Sequence, residues 1–133
     1  GMSHPVLTKS LKSQFEATDD RPIELVEVPE WGLTLRVRGL SAGDKQRYEE
    51  SLVSWDAQGK MTVSSEDGHA RLLVLTIVDE QGQLIFTSGD VVMLSRKSGA
   101  AVDRVVTVAQ RLSGLGRGSE ALKNDSGPAP PGA

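Results

Sequence analysis

The chain has 133 residues, 15 basic and 18 acidic, for a net charge of −3, with no cysteine and only two Trp, one Tyr and two Phe. One domain fits this length, since domains run roughly 100–200 residues. The charge balance excludes the basic stripe of a nucleic-acid binder. The lack of cysteine excludes disulfides, a thiolate nucleophile and a Cys-ligated zinc, and so few aromatics argue against a stacking platform for single strands.

Gly1 ahead of Met2 reads as an expression scar. The residues that follow have no apolar run of the secretory type. The longest apolar-rich run, Leu72 to Val78, is far short of the about 20 residues needed to span a bilayer. No membrane is therefore expected, and the cytoplasm is the expected compartment. Residues 1–21 are polar and of mixed charge and are expected to be flexible. Leu7, Leu11 and Phe15 are spaced four apart, which fits either one short amphipathic helix or a loose terminus.

A single α+β domain is expected over residues 22–115. Ile23–Val28 is rich in β-branched residues, and Leu33–Arg38 alternates apolar and polar with period two. Pro29-Glu30-Trp31-Gly32 between them reads as the loop of an antiparallel hairpin. Arg36 and Arg38 are expected to meet Glu24 and Glu27 across it.

About four helices are expected to pack on this hairpin. Ser41-x-x-Asp44 is a near-match to a capping box, and the helix it opens carries Tyr48, Leu52 and Trp55 on one stripe. Trp55 is thus expected in the core, and residues 56–68 as a polar loop. His69 to Val78 is apolar nearly all round and is read as a buried helix at the centre of the domain, with a cap in Ser65-Glu66-Asp67. Asp79-Glu80-Gln81-Gly82 turns the chain. Leu84-Ile85-Phe86 is a candidate third strand beside the hairpin. Thr87-x-x-Asp90 starts a short helix, and Ser98 caps the last one, residues 99–113. That helix has a stripe of Val102, Val105, Val106, Ala109 and Leu112, and Gly114 is placed to end it. Residues 116–133 are expected to be mostly disordered, because the Pro- and Gly-rich end cannot bury a core face.

No catalytic set emerges. His4 lies in the loose terminus, and His69 has no second ligand at metal spacing, so it reads as a surface or cap histidine. No G-x-S-x-G elbow supports a triad of His69, Asp67 and a serine. Gly114-Leu-Gly-Arg-Gly118 follows a helix rather than a strand and lacks the Lys-Ser/Thr of a phosphate loop. Asp79-Glu80 lacks the spaced ligands of a calcium loop. No enzyme, cofactor or metal site is therefore expected. Trp31 is the candidate partner-binding residue. A tryptophan at a hairpin tip either folds back over the core or faces a partner, and Trp is enriched at interface hot spots.

Several segments, in this order, resemble the tail assembly chaperones of long-tailed bacteriophages and prophages, the lambda-like group. They are Val28-Pro-Glu-Trp-Gly32, Leu35-Arg-Val-Arg-Gly-Leu-Ser-Ala-Gly-Asp44, Leu72 to Gly82, Leu84-Ile-Phe-Thr87 with Asp90-Val91, and Lys97-Ser98 with Val102-Asp-Arg-Val105 and Ala109 to Leu115. The resemblance implies a non-catalytic protein of the bacterial host cytoplasm. It would bind the tape measure protein and keep it soluble, help recruit the tail tube protein, and be absent from the finished tail. It also implies that a frameshift near Lys123-Asn124 can add a second domain, given suitable codons. Self-association is compatible with this role. The alternative is a structural or adaptor component of a phage tail.

Overall fold

The computed structural model describes residues 3–63 and 67–115. The protein is α+β. A 3₁₀ turn at Lys9–Leu11 leads into α1 (Lys12–Ala17). The strands β1 (Ile23–Val28) and β2 (Leu33–Arg38) form the expected antiparallel hairpin, with Val28 opposite Leu33 and Ile23 opposite Arg38. Its loop is a 3₁₀ turn at Pro29–Trp31, closed by the Gly32 amide donating 3.0 Å to the Pro29 carbonyl. Gly32 takes the left-handed conformation that this tight reversal requires.

Helix α2 (Ala42–Ser51) starts where the sequence says, with the Ser41 hydroxyl accepting from the Asp44 amide at 3.2 Å. It does not continue to Trp55. Val53–Trp55 forms β3, paired with β4 (Met61–Val63), so a second hairpin stands where a helix end and a polar loop were expected. Asp56 shapes its turn, accepting from the amides of Gln58 and Lys60 at 2.9 and 2.8 Å. Trp55 is therefore not core: leaving the helix takes it off the stripe of Tyr48, and it is 68% exposed.

Helix α3 (Gly68–Thr76) is the buried centre of the domain. Leu72 and Leu73 are fully buried, and Val74 and Thr76 are buried beside them. Asp67 precedes it without a side-chain cap bond, and the rest of the expected cap, Ser65-Glu66, lies outside the described residues. The helix stops two residues early. Ile77–Val78 becomes β5, a third strand antiparallel to β2, in keeping with the strand preference of β-branched residues. The third strand is thus not Leu84–Phe86. Leu84 makes a single bridge to Val78, on the side of β5 away from the hairpin.

A capping box joins Thr87 and Asp90 before the short α4 (Val91–Ser95). Ser98 caps α5 (Gly99–Ser113), and Gly114 ends it. The valine stripe of α5 packs with α3 and with Val26, Val28 and Val37 of the sheet into one core. The expected tail, residues 116–133, lies outside the described residues.

The cross-strand charge pairs are not those expected. Glu24 stands opposite Val37 and Glu27 opposite Thr34. Glu24 instead accepts from Arg111 of α5 at 2.8 Å, and Arg38 donates to the Gly82 carbonyl at 2.9 Å. Period two puts Glu24 on the helix-covered face of the sheet and both arginines on the other.

Candidate functional site

Trp31 ends the 3₁₀ turn at the hairpin tip and is half-buried against the core. One edge of it therefore packs inward while the rest borders a groove. Leu33, Leu35 and Ile77 floor that groove from the sheet, and Phe86, Met93, Leu94 and Lys97 wall it from the segment through α4. Its volume is about 390 Å³. The lining is largely apolar, and much of it faces water: Leu33 is 60% exposed and Met93 40%. Such an open apolar concavity is the kind of surface that receives an amphipathic helix.

The groove's rim is fixed electrostatically. Glu30, next to Trp31, accepts both Nη1–H and Nη2–H of Arg104 on α5, at 2.7 and 2.8 Å. The hydrogen bonds from the Arg104 guanidinium hold the Glu30 carboxyl down at about 2. The pair joins the loop to the helix on which the sheet rests.

Other polar groups of the sequence are dispersed. His69 is in the first turn of α3, exposed, with Nδ1 3.6 Å from an Asp103 carboxylate oxygen. Among the described residues, no three His, Asp or Glu side chains gather in a way that would hold a metal ion. Asp79 accepts from the amides of Gln81 and Gln83 at 2.8 and 2.9 Å, which makes it the organiser of a turn. Nothing in the sequence marks Phe86, Met93 or Lys97 as lining a groove. Phe86 and Met93 lie in short segments without a long enough period to assign a face.

Residues 18–126 match the family of phage tail assembly chaperones. The chain belongs to that family. The fold agrees: the tail assembly chaperone of bacteriophage HK97 superposes with a TM-score of 0.54 at 19% identity, over 80% of this chain and 95% of the other. No curated protein matches the chain. The family's role lies in assembly of the phage tail. No helix among the described residues is long and apolar enough to cross a membrane.

Proposed function

We propose that this tail assembly chaperone binds the tape measure protein in the host cytoplasm and keeps it soluble during tail assembly. The observation that carries this reading is the open apolar groove beside Trp31. A long helical client exposes apolar stripes before assembly, and an open apolar groove can cover part of one. Trp31 is the proposed anchor, because a large rigid aromatic at the edge of such a groove buries much area at small entropic cost. Recruitment of tail tube subunits would then use the remaining surface of the complex.

Co-expression with the tape measure protein of the same phage tests the reading. The expected result is co-purification and a higher soluble yield of the tape measure protein. If neither occurs, the tape measure protein is not the client.

A further inference from the structure

The helices α3 and α5 share one core with the inward face of the sheet. The opposite face carries a row running from Leu25 through Arg36 and Val78 to Leu84, with Ile23 and Arg38 in the next row; Val78 is already buried, and the exposed apolar part of the face is its β1 side. Ile23 and Leu25 are 51% and 60% exposed there. A second unsatisfied surface lies close by in sequence. The helical segment Lys9–Ala17 has no buried residue, and Phe15 is 64% exposed. A helix this short is marginal in water without an apolar partner.

We propose that the helical segment Lys9–Ala17 is a strap that closes over the exposed β1 side of this face of its own chain, Phe15 resting on Ile23 and Leu11 on Leu25. Residues 18–22 form a five-residue connection, within the usual length of about 2–6 for a helix-to-strand return. The spacings agree as well. Phe15 and Leu11 are separated by about 6 Å along a helix, at about 1.5 Å per residue. Ile23 and Leu25 are separated by about 7 Å along a strand. Charge is compatible, since the closed strap would bring Glu16, now 3.7 Å from Lys12, towards Arg38, which stands opposite Ile23 and keeps one Nη–H on the Gly82 carbonyl. The Trp31 groove is a different surface: Leu33, Leu35 and Ile77 floor it on the helix-covered face, at the far end of β1 from Ile23. The strap shields the apolar face without closing the groove, and it stands independently of what the groove binds.

The absence of cysteine makes the test clean. Leu11→Cys and Leu25→Cys are introduced together and the full chain is oxidised mildly. A bridge needs Cβ atoms about 3.5–4.5 Å apart. The expected product is an internally bridged monomer, and adding Phe15→Asp should slow its formation about tenfold by removing the buried phenyl. Bridges only between two chains, no bridge, or a rate indifferent to Phe15→Asp would each overturn the proposal.

Discussion

Glu30 and Arg104 are 74 residues apart in sequence and meet in a two-pronged ion pair, with both N–H···O distances under 3 Å. The contact ties the hairpin tip to α5 and sets the position of Trp31, which follows Glu30 in the same 3₁₀ turn. Bidentate pairs of this kind are the geometrically specific ones. Because both side chains are solvent-accessible, the pair orders the groove rim more than it stabilises the fold.

The pair has a pH signature. The Glu30 carboxyl is held at about 2, below its ordinary 4.5. A depressed carboxylate adds stability above its unfolded value, and that contribution fades as pH falls from about 4.5 towards 2. Titrated by NMR, the Glu30 side chain should show a midpoint near 2 in the intact protein. In Arg104→Ala it should return towards the ordinary glutamate range. The melting temperature of that variant should change little near neutral pH, while amide signals of residues 29–32 shift.

Trp31→Ala should separate binding from stability. An aromatic hot spot costs about 2 kcal/mol or more of binding on truncation, about thirtyfold in affinity, and that is the loss expected from the proposed role of Trp31. The half-buried indole also contributes to the core, so a fall in melting temperature of a few degrees is expected. Capture of the tape measure protein in pull-downs, set beside thermal melts, gives the comparison. A loss of stability with unchanged capture would make Trp31 purely a core residue.

Much of this architecture is legible in the sequence. Ser41, Thr87, Ser98 and Gly114 mark helix ends by local chemistry, and each does so in the structure. The valine stripe of α5 and the alternation of β2 are long enough to fix their faces. What fails is short or depends on distant partners. Ile77–Val78 continues an apolar helix in sequence and becomes a strand only because β2 offers an edge. Trp55 fits a helical stripe only if the helix persists. The turn Asp56-Ala-Gln-Gly-Lys60 repeats the bonding of Asp79-Glu-Gln-Gly-Gln83: in each, the aspartate accepts from amides two and four residues on. That likeness is the sequence signal that would have revealed the second hairpin. The groove brings together Trp31 and Met93, and only the tertiary fold places them on one surface.

Trp55→Ser tests the reassigned hairpin. The side chain is largely exposed on β3, so stability should change by no more than about 0.5 kcal/mol. A core tryptophan would instead cost about 3–5 kcal/mol on truncation. Urea unfolding followed by far-UV circular dichroism distinguishes the two.

Gly39→Ala should be clearly destabilising. Gly39 lies where β2 leaves the sheet and passes the C-terminal end of α5. Its amide donates to the Pro22 carbonyl at 2.9 Å, and the next amide, of Leu40, donates to the buried Ser113 hydroxyl at 2.9 Å. An added Cβ would sit 2.5 Å from the Leu112 carbonyl oxygen. That neighbour is backbone inside a helix and cannot rotate away, so the sheet and α5 must separate. Overpacking of this kind costs about 1–3 kcal/mol. At about 4–8 °C per kcal/mol for a domain of 60–100 residues, thermal melts should show a clear drop. Ser113→Ala, which removes only the hydroxyl acceptor from the same junction, should cost less, about 1–2 kcal/mol. Equal melting temperatures for Gly39→Ala and the parent would show that the junction is looser than its geometry states.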